Sequence, residues 1–218
     1  RAVNLSDLLA GVGVSIGTAS QIKVTRLTLD SREVSEGAVF FAMAGHSCHG
    51  MDFAQEAVER GAVAIVCDSW DGVAPSAVPV INVENLPQRL GIIVQHFFDA
   101  PCQNMRIVGV TGTNGKTTTI HLIDQLAKSL GIATGKIGTL GVSVGVDKLY
   151  QFDRTTPDVI TLTHCLAQLC ARKVSLCAME VSSHALDQHR VSGIPFDVAV
   201  LTNLTRDHLD YHVDMPTY

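Results

Sequence analysis

Gly109-Val110-Thr111-Gly112-Thr113-Asn114-Gly115-Lys116-Thr117-Thr118 is the stretch on which the fold of this chain turns. Met105 to Val110, leading into it, is an apolar, β-branched run of strand length. After it, Ile120, Ile123, Leu126 and Leu130 recur at helical spacing, and Gly131 is placed to end that helix. Strand, glycine-rich turn and helix N-terminus make a phosphate cradle. Glycines let backbone N–H groups approach an anion, and the helix end adds unpaired donors and a favourable dipole. Lys116 has the reach for a terminal phosphate, and the Thr117 hydroxyl suits Mg²⁺. The usual pattern wants glycine where Val110 stands; the glycines here are Gly109 and Gly112. A tight turn that merely contains a lysine is the competing reading, and the strand and helix on either side disfavour it.

Working outward, the 218 residues allow one large domain or two ordinary ones. A hydrophobic content of 46% supports a real core. With a net charge of −5 and no basic patch, no nucleic-acid partner is expected. No apolar run is long enough to span a bilayer and no signal-peptide pattern opens the chain, so no membrane association and a cytoplasmic location are expected. The first residue is Arg1, which reads as a trimmed start. Cys48, Cys67, Cys102, Cys165, Cys170 and Cys177 contain no C-x-x-C pair, and several lie in apolar runs, as reduced buried thiols do.

Elements alternate along both halves. Leu5 to Leu9 reads as a short helix capped by Ser6, Lys23 to Leu29 as a strand, and Ala38 to Ala44 as a buried strand. A helix carrying Phe53, Ala57 and Val58 stops at Gly61, and strands follow at Ala62 to Cys67 and Val78 to Val83. Leu86, Leu90, Ile93, Val94 and Phe97 form a helical stripe that ends before Pro101. Beyond the phosphate loop come a strand in Ile132 to Leu140, a hairpin or loop in Val142 to Phe152, and a helix opened by Thr156-Pro157. Leu176 to Val181 and Phe196 to Leu201 read as strands. This βαβ alternation predicts an α/β fold with a parallel sheet. The boundary between two domains is expected near Pro101 to Asn104, giving domains of 1–101 and 105–218.

Ligands of open parallel sheets bind outside the carboxyl ends of the strands. Three polar clusters fall at such ends: the phosphate loop, Glu180 with Ser182, Ser183 and His184, and the segment around Asp207 and His208. Glu180 suits Mg²⁺ opposite Thr117, or caps the following helix. His208 is a second metal candidate, or a packed loop histidine. His208 and His212 with Asp207 and Asp210 lack the H-E-x-x-H zinc pattern. Arg190 could clamp a carboxylate or phosphate, or be solvated. Ser31 and His46 follow strands of the first region, where position alone favours ordinary loop residues.

Taken together, Gly112-Thr-Asn-Gly-Lys-Thr-Thr, Glu180-Val-Ser-Ser-His-Ala-Leu, Gln188-His-Arg-Val and Thr202-Asn-Leu-Thr-Arg-Asp-His-Leu-Asp-Tyr-His resemble the Mur ligases. Leu27-Thr-Leu-Asp-Ser-Arg and the Gly45-His46 loop are similar to that family's uridine-binding domain. The resemblance implies a small N-terminal α/β uridine-binding domain, then a truncated P-loop-type parallel-sheet domain that binds ATP. It implies that Gly112, Thr113, Asn114, Gly115, Lys116, Thr117 and Thr118 bind ATP, and that Thr117, Glu180 and His208 hold Mg²⁺. Lys116, Glu180 and His208 would be the catalytic set. Leu29, Ser31, His46, Ser47 and Cys48 would contact the UDP-sugar, and Thr155, Thr156, Ser182, Gln188 and Arg190 the muramoyl-dipeptide.

The implied reaction is ATP-driven amide formation. A carboxylate of UDP-N-acetylmuramoyl-dipeptide becomes an acyl phosphate, and the amine of an incoming amino acid, diaminopimelate or lysine, attacks it. The enzyme's task is to bring anionic carboxylate to anionic triphosphate, by positioning and electrostatics. A monomer is expected. Two positions depart from the family pattern: Arg154 stands where asparagine is usual, and His49 where aspartate is common. The family's central domain continues with a carbamylated lysine and a third domain. An N-terminal fragment, inactive alone, is therefore expected. A folate polyglutamate ligase and a nucleotide-binding regulatory module are the rival readings.

Overall fold

The structure, a computed structural model, describes residues 1–45, 48–73, 75 and 77–218, the side chains of residues 102 and 104 aside. It forms two compact units, Arg1–Asp99 and Ala100–Tyr218.

The first unit runs β1 (Val3–Asn4), α1 (Leu5–Leu8), β2 (Lys23–Val24), β3 (Arg26–Thr28), β4 (Ala38–Ala42), α2 (Ala54–Glu59), β5 (Ala62–Cys67), β6 (Val80–Asn82) and α3 (Leu86–Phe98). Its main sheet has the order β3-β4-β5-β6, all parallel, while β1 and β2 pair antiparallel. All five residues of β4 are buried, as a continuous apolar run inside a parallel sheet should be. The α3 stripe of Leu86, Leu90, Ile93, Val94 and Phe97 is buried as its spacing predicts. The single strand expected over Lys23 to Leu29 is instead two. The chain changes sheets at Thr25, whose N–H donates to Gly37 O at 2.9 Å. Nor does Ser6 cap α1: Asn4 holds that position.

The second unit contains β7 (Arg106–Thr111), α4 (Lys116–Ser129), β8 (Thr134–Gly138), β9 (Gly141–Val144), β10 (Asp147–Tyr150), α5 (Val159–Ala171), β11 (Leu176–Glu180), α6 (Ser183–Asp187), β12 (Val198–Leu201) and α7 (Leu209–His212). The sheet order is β10-β9-β8-β11-β7-β12. The four strands β8, β11, β7 and β12 are parallel, and β9 and β10 add an antiparallel hairpin at one edge. Both faces of the central strands are covered, so period-2 alternation sorts apolar side chains between two cores. Ile107, Cys177, Met179 and Ile137 pack with Leu162, Leu166 and Leu169 of α5. Val108, Val110 and Ala178 pack with Ile120 of α4. A fully buried side chain of this size contributes about 1.5–3 kcal/mol.

The helix after the phosphate loop buries a different stripe from the expected one. Ile120, Asp124 and Ala127 face inward, while Leu126 and Leu130 are exposed. Asp124 takes the sheet-facing position because its partners are there. Its carboxylate accepts hydrogen bonds from Lys128 Nζ at 2.8 Å and from the Thr134 hydroxyl, and it pairs with Lys136 Nζ at 3.1 Å. Burial pushes the Asp124 carboxyl up, but hydrogen bonds from Lys128, Thr134 and Lys136 outweigh it and hold the group below its ordinary value.

Candidate functional site

Register explains how distant residues meet. Glu180 pairs with Val110, and Leu201 with Thr111, so the carboxyl ends of β11, β7 and β12 align. The loops that follow them carry the phosphate turn, Ser182 and the Thr202–His208 segment.

In the phosphate turn, Gly112 has φ +131°, and a Cβ there would lie 2.2 Å from Thr202 Oγ1, so only glycine fits. The amide of Thr113 donates to Asn203 O at 2.9 Å, and that of Asn114 to Asn203 Oδ1 at 3.0 Å. Lys116 folds back on its own loop, its Nζ donating to Gly112 O at 2.6 Å and Thr113 O at 3.0 Å. The helix begins at Lys116, so the N–H groups of Lys116, Thr117 and Thr118 have no carbonyl one turn earlier within it.

Glu180 is only 1% exposed, and both its carboxylate oxygens accept hydrogen bonds. Thr117 Oγ1 donates to Oε2 at 3.0 Å, Thr139 N–H donates to Oε1 at 3.0 Å, and the Thr139 hydroxyl lies 3.2 Å from Oε2. A Cβ on Gly138 would come within 2.2 Å of Oε1. The β8–β9 turn thus makes the carboxylate's seat. Sequence reading missed both Gly138 and Thr139; a glycine closing the strand Thr134–Gly138 was the available signal, and it names no partner. Hydroxyl and carboxylate oxygens are the donors Mg²⁺ prefers, so Thr117 and Glu180 fit that ion. His208 is not part of this pair. It has φ +52°, and its ring lies against His184 with centroids 4.9 Å apart. A cavity of about 160 Å³ borders Thr117 and Glu180, with His121, Lys136, Ser143 and Lys148 also in its wall.

The remaining residues expected at the dipeptide form one network with Glu180. Thr156, fully buried, donates from Oγ1 to Glu180 O at 3.0 Å and accepts Ser182 N–H at 3.2 Å. It does not cap α5, as its place before Pro157 suggests. Asp158 does, accepting Ile160 and Thr161 N–H at 3.0 Å each, because its carboxylate reaches both orphan donors. Ser182 caps α6, accepting Ala185 N–H at 3.2 Å. Arg190 Nη1 donates to Thr156 O at 2.9 Å, and its Nε donates to Gln188 Oε1 at 3.1 Å. Burial and the neighbouring Arg154 both lower the Arg190 pKa. Thr155 Oγ1 lies 3.2 Å from the Thr139 hydroxyl.

In the first unit, Ser31 is buried and donates to Glu56 Oε2 at 3.0 Å. Leu29 is half-buried and Cys48 exposed; His46 and Ser47 lie outside the described residues. His49 takes over the capping that aspartate would perform. Its Nδ1 accepts Met51 N–H at 3.1 Å, while Asp52 Oδ2 accepts His49 N–H at 3.0 Å. That leaves Nε2 to carry the proton, 3.0 Å from Asp68 Oδ1. Cys67 and Cys165 are buried, and burial raises both thiols, Cys165 to about 12. Among the described residues, no helix is long and apolar enough to cross a membrane.

A glycine turn between β7 and α4, with a carboxylate from the adjacent strand, defines an α/β protein of the phosphate-loop class. Residues 110–218 match the Mur ligase middle domain, and residues 23–98 match the Mur ligase family catalytic domain. The chain belongs to the Mur ligase family. It is 49% identical over 223 residues to a UDP-N-acetylmuramoyl-L-alanyl-D-glutamate–2,6-diaminopimelate ligase of Xanthomonas campestris, covering 100% of this chain and 43% of that protein. A solved structure of a ligase of that name superimposes with a TM-score of 0.84 at 29% identity, over 100% of this chain and 43% of that one. The MurF ligase of Thermotoga maritima in complex with ADP gives 0.59 at 26% identity, over 89% and 41%. The chain therefore spans less than half the length of these relatives.

Proposed function

We propose that the whole protein is an ATP-dependent ligase that joins 2,6-diaminopimelate to UDP-N-acetylmuramoyl-L-alanyl-D-glutamate in peptidoglycan synthesis. The observation that carries this reading is the Thr117–Glu180 pair, held at 3.0 Å beside the phosphate turn. The substrates are those named for the relatives above.

In this reading the second unit is the ATP-binding domain and the first binds the UDP end. Lys116 leaves the Gly112 and Thr113 carbonyls to meet the terminal phosphates. The amides of Lys116, Thr117 and Thr118 receive phosphate oxygens at the helix N-terminus. Thr117 and Glu180 would hold Mg²⁺, which would supply positive charge against the triphosphate, with His208 as a candidate further ligand. Arg190, kept in place by Gln188 and the Thr156 carbonyl, presents a guanidinium to a substrate carboxylate. The protein acts by holding two anions together, so no side chain needs to become a covalent nucleophile.

The test uses the whole protein. ADP release should require both the UDP-muramoyl-dipeptide and diaminopimelate, and Glu180→Ala should abolish it. Turnover with lysine instead would replace the amino acid; dependence on a folate would point to a folate polyglutamate ligase. Substrate-dependent ATP consumption that survives Glu180→Ala would leave a regulatory nucleotide module as the reading. The 218-residue chain alone should bind nucleotide without ligating.

A further inference from the structure

The turn that should cradle phosphate has already given away part of its hydrogen-bonding capacity. Asn203, just after β12, bonds to Asn114 through both ends of its side-chain amide. Oδ1 accepts Asn114 N–H at 3.0 Å, and Nδ2 donates to Asn114 O at 2.9 Å. Only one orientation of the amide satisfies both partners, so the assignment of its O and N atoms is determined. The Asn203 backbone carbonyl accepts Thr113 N–H at 2.9 Å. Around this pair, Thr202 Oγ1 donates to Asn114 O at 2.7 Å, and Thr205 N–H donates to Thr113 Oγ1 at 2.9 Å. Both partners of the paired amide are backbone atoms, so the contact fixes a peptide's position rather than a side chain's.

We infer that Asn203 is a positioning residue for the nucleotide-phosphate loop. It turns the Thr113 and Asn114 amides away from the ligand and leaves phosphate recognition to Gly115, Lys116, Thr117 and Thr118. The loop is thus preorganised by a segment nearly ninety residues away in sequence, and nucleotide binding does not have to order it. Asparagine suits the role because it offers a donor and an acceptor side by side, matching a peptide's N–H and C=O. Alanine offers neither. Leucine has the shape without the bonds. This inference rests on the nucleotide reading of the site.

The experiment measures three quantities on the full 218-residue chain and its Asn203→Ala variant. These are the dissociation constant of a fluorescent ATP analogue with Mg²⁺, the hydrogen-exchange rate of individual amides by NMR, and the thermal midpoint. In the variant, nucleotide affinity should fall about tenfold, the effect of two lost hydrogen bonds on loop order. Exchange at Thr113 and Asn114 should quicken at least as much, while Ile107 to Val110 in β7 stay protected. General loosening of the unit would quicken both sets, so that outcome overturns the inference. So does unchanged affinity in a variant whose wild type binds. A wild-type chain that binds no nucleotide overturns the functional reading itself. Should Asn203→Ala fail to fold, Asn203→Leu keeps the side chain's shape and removes both bonds to Asn114; an affinity loss with selective exchange at Thr113 and Asn114 supports the inference, and no change in either refutes it.

Discussion

Gly138→Ala probes the seat of Glu180 with one methyl group. The added Cβ would lie 2.2 Å from Oε1, 2.7 Å from Cδ and 2.8 Å from Cγ of Glu180. Ordinary carbon–oxygen contact is about 3.3 Å, so the carboxylate must retreat by roughly 1 Å. The atoms in the way belong to the end of a side chain, not to backbone, so the steric cost is relieved by a rotation. What is lost is the set of hydrogen bonds from Thr117 at 3.0 Å and from Thr139 at 3.0 and 3.2 Å, which a 1 Å shift takes beyond bonding distance. Net contributions of about 1.5–3 kcal/mol per charge-assisted bond set the upper scale. Part of that returns if the displaced carboxylate reaches water. The expected destabilisation is therefore about 1–3 kcal/mol, read as a shift of the urea midpoint at constant slope. If Thr117 and Glu180 hold the metal as proposed, function should suffer more than stability, because the displaced carboxylate no longer lies beside the Thr117 hydroxyl. Affinity for Mg²⁺–nucleotide should drop more than tenfold, about 1.4 kcal/mol or more, and Gly138→Ser should behave alike. A variant of wild-type stability that binds Mg²⁺–nucleotide normally would refute this account of the carboxylate's seat.

Thr156→Val should cost about 1–3 kcal/mol in urea unfolding, since a buried hydroxyl that serves Glu180 O and Ser182 N–H is replaced by an equal volume with no bonds; a neutral result would mean another group takes over both. Asp124 gives a pH prediction. Its folded pKa lies below the unfolded value near 3.8, so its contribution is fully present above that value and is lost as pH falls through the lower folded one. Asp124→Asn should be less stable at neutral pH and should show a flatter acid limb in urea titrations; an unchanged acid limb would remove Asp124 from the set of groups that govern acid unfolding. Lys116→Ala should abolish nucleotide binding in a fluorescence titration while leaving the thermal midpoint within a few degrees, because among the described residues its ammonium bonds just two carbonyls of its own loop.

The sequence reading reached the α3 stripe, the central strands of both units and the phosphate turn because these depend on local spacing. Periodicity of two or 3.6 is a property of the chain before it folds. It reached Glu180 because a lone carboxylate closing an apolar strand is conspicuous. It failed at the α4 stripe, where Asp124 is buried and Leu126 and Leu130 are exposed. Hydrophobicity alone could not show that Thr134 and Lys136 wait on the neighbouring strand. The cap of α5 went to Asp158 over Thr156 for a related reason. Both residues precede the helix, but a buried hydroxyl was needed at the Glu180 carbonyl.

Local spacing is enough to build an anion cradle from a strand, a glycine turn and a helix, and to end neighbouring strands with carboxylate and polar segments. Which groups finish the site depends on how the strands pack. Parallel register puts Glu180 level with Val110 and Leu201 level with Thr111, and this brings Gly138, Thr139 and Asn203 to groups dozens of residues away. Nothing in their spacing along the chain encodes those partners. Their roles come from packing two strands side by side, where the absence of one Cβ and the reach of one amide are fixed by neighbours the linear sequence does not display.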